Sequence, residues 1–210
     1  MGSRLIDFRL YLVTDRRLFP ACYALYAAVE DALKGGAKAV QLREKDLGTR
    51  EMLDMAYALR EITTRYQASL FINGRVDIAM AVGADGVHLG ISDMPVHAAR
   101  KAAGSGILIG KSTHGVAEAK KAEQEGADFV TLGPVYETPS KLRYGKPVGL
   151  QTIEKVKGEV SVPVFAIGGI RKERVGEVLR AGAYGIALIS AILASENIQS
   201  STEEFMRLLK

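Results

Sequence analysis

The sequence predicts a parallel α/β barrel, the (β/α)₈ or TIM-barrel class. Three observations carry this. Short apolar runs alternate with longer stretches of helical spacing, the runs number eight, and a Gly-Ala pair stands just before every second run. The candidate strands are Leu10–Thr14, Ala39–Leu42, Leu70–Ile72, Gly86–Leu89, Ile107–Ile109, Phe129–Leu132, Val164–Ile167 and Gly185–Ile189. They are short and apolar, as strands buried on both faces of a parallel sheet are. Between them, Thr49–Tyr66, Val116–Glu125 and Arg174–Ala181 have helical spacing and many Ala, Glu, Lys and Arg residues. Gly36-Ala37, Gly83-Ala84, Gly126-Ala127 and Gly182-Ala183 precede the second, fourth, sixth and eighth strands. Glycine ends a helix in the left-handed conformation without a Cβ clash, and the chain then turns into the strand. A repeat every two βα units suits a closed barrel; an open doubly wound sheet is the alternative. No linker or low-complexity tract interrupts the chain, so a single domain over 1–210 is expected.

Composition narrows the function. The 210 residues include 28 Lys+Arg and 24 Asp+Glu, a net charge of +4 that is not gathered into a run. That pattern argues against nucleic-acid binding or a polybasic membrane arm as the main role. Hydrophobic residues make up 48% and charged residues 25%, ordinary for a soluble globular protein rather than a disordered one. The single cysteine, Cys22, excludes an intrachain disulfide and a thiolate zinc site. No apolar run reaches transmembrane length, and Met1 to Arg9 lacks the apolar block of a secretory signal. A cytoplasmic location is expected. The oligomeric state stays open, a homo-oligomer included.

Barrel enzymes work at the C-terminal ends of their strands, so the residues that follow each strand matter most. Thr14, Asp15 and Arg16 follow the first. Gln41, Arg43 and Lys45 close the second; their alternation would put them on one face, where converging cations suit a pyrophosphate. Asn73-Gly74-Arg75 follows the third, with a helix cap or turn as the plain reading of Asn73. Asp93 follows the fourth; before Pro95 it reads as a helix N-cap, or as a carboxylate able to hold Mg²⁺ on a phosphate. His88 reads as a packed, hydrogen-bonded core histidine.

Lys111, Ser112, Thr113 and His114 follow the fifth strand. The longest irregular stretch, Gly133 to Gly149, follows the sixth and carries Thr138, Ser140, Lys141, Arg143 and Lys146. Its hydroxyls, cations and glycines fit an anion-binding flap, although Arg143 and Lys146 also suit an exposed loop. Gly168-Gly169 after the seventh strand and Ile189-Ser190 at the eighth match the common barrel phosphate site. Two anionic sites emerge, one around Gln41, Arg43, Lys45 and Lys141, the other around Gly169 and Ser190. Such a pair suggests a reaction between two phosphorylated small molecules.

Ordered motifs give the chain a resemblance. Gln41-Leu-Arg-Glu-Lys45, Phe71-Ile-Asn-Gly-Arg-Val-Asp-Ile-Ala79, Gly83-Ala-Asp-Gly-Val-His-Leu-Gly90, Ser112-Thr-His114, Gly133-Pro-Val-Tyr136, Ala166-Ile-Gly-Gly169 and Ile189-Ser190 span nearly its whole length. Together they resemble the thiamine phosphate synthases and their thiazole tautomerase relatives. The resemblance implies a transferase joining an aminopyrimidine methyl diphosphate to a thiazole phosphate, with Mg²⁺ as cofactor. It implies that Gln41, Arg43, Lys45, Asn73, Ser112 and Lys141 hold the pyrimidine diphosphate, with Arg43, Lys45, Ser112 and Lys141 as the catalytic set. It implies that Thr138, Ser140, Gly169, Ile189 and Ser190 contact the thiazole phosphate, and that Asp93 holds the metal.

Two departures stand out. Gly74 occupies the place of a second metal-binding aspartate, and Ser140 that of a threonine. Gly74 keeps two alternatives open: a metal-free thiazole tautomerase, and a non-catalytic relative that binds pathway phosphates. Against the tautomerase, Pro134 stands where that pattern has a histidine for proton transfer.

Overall fold

The computed structural model describes residues 6–138 and 146–210. Eight strands close into one parallel barrel in sequence order, with β1 paired to both β2 and β8. They are β1 (Leu10–Val13), β2 (Ala39–Leu42), β3 (Ser69–Asn73), β4 (Gly86–Leu89), β5 (Leu108–Thr113), β6 (Phe129–Leu132), β7 (Val164–Ile167) and β8 (Gly185–Leu188). The outer layer contains α1 (Cys22–Lys34), α2 (Thr49–Arg65), α3 (Val76–Ala81), α4 (Val96–Ala103), α5 (Val116–Gln124), α6 (Leu150–Glu159), α7 (Val175–Arg180), α8 (Ser190–Leu193) and α9 (Ile198–Leu208). Among the described residues, no helix is long and apolar enough to cross a membrane.

The Gly-Ala pairs do what their position predicts. Gly36, Gly83, Gly126 and Gly182 have φ of 99°, 60°, 94° and 100°. Each alanine after them donates its N–H back to the helix just ended, as Ala37 does to Ala32 O at 3.1 Å and Ala127 to Ala122 O at 2.9 Å. The left-handed residue therefore caps the helix and aims the chain at the next strand.

Aromatic rings fill the lower barrel. Tyr11, Phe71, Phe129 and Phe165 point inward, and Phe8, just before β1, rises beneath them with its ring centroid 5.3–6.0 Å from all four. Three of these rings lie against a glycine in register on the neighbouring strand: Phe71 on Gly86, Phe129 on Gly110 and Phe165 on Gly185. A Cβ added to Gly86, Gly110 or Gly185 would come within 2.2, 2.4 or 2.8 Å of the facing ring. The missing side chains are thus the space that the rings occupy.

The strand ends refine the sequence reading. β5 runs to Thr113 rather than stopping at Ile109, because Lys111, Ser112 and Thr113 stay paired to β6 although they are polar. β2 stops at Leu42, so Arg43 and Lys45 lie in the loop rather than alternating along a strand. Asp93 does not cap α4. Pro95 precedes that helix, and the Asp93 carboxylate accepts from Gly90 N–H at 2.6 Å instead. Asn73 caps no helix either; it ends β3, and Arg75 precedes α3.

Candidate functional site

Among the described residues, those that follow the strands gather at one end, because every strand is parallel and the barrel is closed. On the β1–β2 side a buried carboxylate organises the loops. Thr14 donates its hydroxyl to Glu44 Oε1 at 2.6 Å and accepts from Arg43 N–H at 2.9 Å. The same carboxylate oxygen accepts from Arg16 N–H at 3.0 Å. Arg43 is thereby fixed at its backbone while its side chain stays half-buried. Asp46, bound to Arg16 Nη2 at 2.5 Å, ties the outer part of the loop to the same arginine. Gln41 is buried and donates its amide to the Tyr11 hydroxyl at 3.0 Å, so the aromatic floor anchors the first polar group above it. Lys45 is exposed, beyond the clamp.

Glu44 yields a pH test. Burial raises its carboxyl above the ordinary 4.5, outweighing the hydrogen bonds from Thr14 and Arg16 that lower it. The folded state therefore holds this proton more tightly than the unfolded chain. The contribution of Glu44 to stability is therefore greatest below 4.5 and is lost as pH rises from there through the folded value. Glu44→Gln keeps an acceptor for both donors and removes the ionisation. Relative to wild type, the glutamine variant should gain in urea midpoint between about pH 4.5 and pH 8. Parallel midpoints across that range would show that Glu44 does not carry this cost.

The β3–β5 side brings Asn73, Asp93, Lys111 and Ser112 to the rim. Asn73 sits in register with His88, and Gly74 N–H donates to His88 O at 2.8 Å. Gly74 has φ +70° and lies directly under the Asp93 carboxylate: a Cβ there would be 2.9 Å from Asp93 Oδ2. Lys111 donates to Gly90 O at 2.7 Å, and burial lowers its pKa. Asp93, Lys111 and Ser112 line one cavity of about 220 Å³, together with Ile91, Glu118 and Glu125. Inside the barrel, His88 is buried against Ser112, with Nε2 3.0 Å from its hydroxyl, in agreement with the packed role read from the sequence.

The β6–β8 side is built from backbone. The chain after β6 pairs with the end of β7, through Val135 N–H to Ile167 O at 2.9 Å and Tyr136 N–H to Gly168 O at 3.1 Å. Gly168 and Gly169 have φ of 98° and 66°, and a Cβ on Gly169 would lie 2.8 Å from Glu137 O. Arg174 fastens this turn: its guanidinium donates to Gly169 O at 2.8 Å and stacks 4.2 Å from the Tyr136 ring centroid. The Tyr136 hydroxyl in turn donates to Glu177 at 2.5 Å, and burial together with that carboxylate pushes its pKa up to about 12. Thr138 is half-buried beside this turn in sequence, Ile189 ends the β8 approach, and Ser190 opens α8. Ser140, Lys141 and Arg143 lie outside the described residues.

The chain is matched along nearly its whole length by known proteins. The family model described as thiamine monophosphate synthase matches residues 10–192. The chain belongs to the thiamine monophosphate synthase family. Among its relatives, the thiamine-phosphate synthase of Clostridium novyi is 46% identical over 94% of this chain and 97% of that protein. The thiamine-phosphate synthase of Chloroflexus aurantiacus is 41% identical over 99% of this chain and 95% of its own. The solved structure of thiamine phosphate pyrophosphorylase from Pyrococcus furiosus superposes with a TM-score of 0.88 at 41% identity, covering 96% of this chain and 95% of that one. Family membership agrees with the resemblance carried by the ordered motifs. It leaves the Thr14–Glu44 clamp, the Tyr11–Gln41 anchor and the Arg174–Tyr136 stack to be read from geometry. Of these, Thr14, Gln41, Glu44 and Tyr136 stood out in the sequence, at strand ends or within the ordered motifs, whereas Tyr11 and Arg174 did not.

Proposed function

We propose that this chain is a transferase that joins 4-amino-2-methyl-5-hydroxymethylpyrimidine diphosphate to hydroxyethylthiazole phosphate, yielding thiamine phosphate and pyrophosphate. The observation that carries this reading is the two-sided mouth. Cationic and amide groups lie at the ends of β2–β5, and a glycine-built backbone turn lies at the ends of β6–β8. The carbon–oxygen bond to the diphosphate breaks with its electron pair leaving on oxygen. The thiazole nitrogen lone pair then forms the new carbon–nitrogen bond. Gln41, Asn73 and Ser112 orient the pyrimidine diphosphate, while Arg43, Lys45 and Lys141 offset the charge that builds on the departing group. Thr138, Ser140, the Gly169 turn, Ile189 and Ser190 hold the thiazole phosphate.

Magnesium fits this site only as an ion that arrives with substrate. Among the described residues, no group of three or more His, Cys, Asp or Glu side chains could hold a metal. Asp93 supplies one carboxylate, partly engaged by Gly90 N–H, which suits an ion whose other ligands are diphosphate oxygens and water. Bound there, magnesium would supply charge neutralisation at the leaving group.

The deciding experiment supplies both substrates and excess Mg²⁺ and measures thiamine phosphate directly. Product well above the enzyme-free control supports the synthase. No product from folded protein removes it and favours the tautomerase or the non-catalytic binder. A second expectation concerns the glycine turn. Arg174→Leu removes a charged hydrogen bond to Gly169 O and should raise KM for thiazole phosphate by about tenfold, near 1.4 kcal/mol. KM for the pyrimidine diphosphate should stay unchanged. Equal increases in both would place Arg174 outside the phosphate subsite.

A further inference from the structure

His88 is a buried imidazole to which the proposed chemistry assigns no part, and its surroundings fix more than its packing. Nε2 faces two hydroxyl oxygens, Ser112 Oγ at 3.0 Å and Thr131 Oγ1 at 3.3 Å. Nδ1 is buried and has no hydrogen-bond partner among the described residues. It lies against the bare backbone of Gly110, where an added Cβ would come within 2.6 Å. The rings of Tyr11 and Phe129, each with its centroid 5.8 Å away, hold the imidazole plane.

We propose that His88 is a positioning residue whose Nε2–H donates to Ser112 Oγ, which leaves the serine proton free to be donated to substrate at the mouth. The inference rests on the synthase reading for its catalytic part. The tautomer follows from the two nitrogens' surroundings. A proton on Nδ1 would be a buried donor with no acceptor, which costs about 1–3 kcal/mol. An unused lone pair there costs less, since native proteins tolerate under-satisfied acceptors better than orphaned N–H groups. The proton therefore sits on Nε2, between two oxygens able to accept it.

A hydroxyl that accepts from a ring N–H still has its own hydrogen to give. With Nε2 already a donor, Ser112 cannot spend that hydrogen on His88. Ser112 is half-buried near the C-terminal end of β5, in register with Thr131 on β6. The opposite tautomer would reverse the polarity of the serine: its hydrogen would point down into the barrel, and only lone pairs would face the substrate. Burial, with the charges of Arg43 and Lys111 beside it, pushes the His88 pKa down to about 3, so the ring keeps one proton throughout the working range. His88 sets a direction and does not shuttle protons.

Two measurements test this. Two-bond nitrogen–proton correlation NMR on the intact, ¹⁵N-histidine-labelled chain reads the tautomer with no substrate present. The Nε2–H pattern is expected, and the Nδ1–H pattern would overturn the proposal. The second measurement is a double-mutant cycle. H88Q can place an amide N–H near the Nε2 position and should keep kcat within about threefold of wild type, whereas H88L and H88N should fall to the level of S112A. In the S112A background, H88L should cost less than about twofold more. A full further loss there, in protein with an unchanged melting curve, would show that His88 acts without Ser112 and would sink the proposal. If wild type makes no thiamine phosphate, the synthase reading fails separately. The NMR result then still decides the tautomer, and the cycle is read from dissociation constants for inorganic pyrophosphate.

Discussion

Phe129→Ala is expected to cost about 3–5 kcal/mol of stability, the usual range for truncating a buried phenylalanine. The upper part of that range applies because the site cannot collapse. Phe129 is fully buried, and its ring centroid lies 5.5 Å from those of Tyr11, Phe71 and Phe165. Its other face meets Gly110, where there is no side chain to swing into the void. The surrounding strands are hydrogen-bonded on both sides, so none can move inward alone. For a chain of this size the loss amounts to a fall in melting temperature of roughly 10 °C. A thermal melt checks it; a fall of less than about 3 °C would mean that the neighbouring rings repack. The His88 ring also leans on Phe129, so part of the damage should reach the site above.

Asp93→Asn should raise the Mg²⁺ concentration for half-maximal turnover by roughly 10–100-fold, the scale on which loss of a metal-site partner acts. The substitution is nearly isosteric, and an amide oxygen can still accept from Gly90 N–H, so the fold should be unaffected. Charge is what it removes. Asp93 is the carboxylate over Gly74 at this corner of the mouth, and Gly74 offers no side chain to replace it. The check is a Mg²⁺ titration of initial rates at saturating substrates, beside a melting curve. Superimposable titrations would show that the ion is held elsewhere.

The fold was legible because barrel geometry repeats and writes itself into spacing. Ala39–Leu42, Gly86–Leu89, Phe129–Leu132 and Val164–Ile167 match the observed strands end for end. The Gly-Ala pairs mark helix ends because φ near +60° to +100° is costly for other residues. The misread element is instructive. β5 continues through Lys111-Ser112-Thr113 because a strand that enters the mouth trades apolar residues for polar ones, which erases the signal used to find it.

The site was legible only by sequence order. Asp93 before Pro95 has the local pattern of a cap, but the competing backbone donor of Gly90 took the carboxylate. That competition is invisible until the turn is built. The ring-on-glycine pairs left a trace that could have been used: Phe71, Phe129 and Phe165 each meet a glycine in register on an adjacent strand. Recognising them required knowing the register.

The ring stack under Gln41 has a consequence for traffic. With Phe8 wedged beneath four aromatic rings, the described residues close the lower end of the barrel like the base of a cup. Whatever binds above the ring stack enters and leaves past the upper rim. The molecule seated deepest must go in first and come out behind whatever lies above it. Two molecules stacked in such a cup would pass one another only in a fixed order, and one lingering at the rim would hold back the one below it.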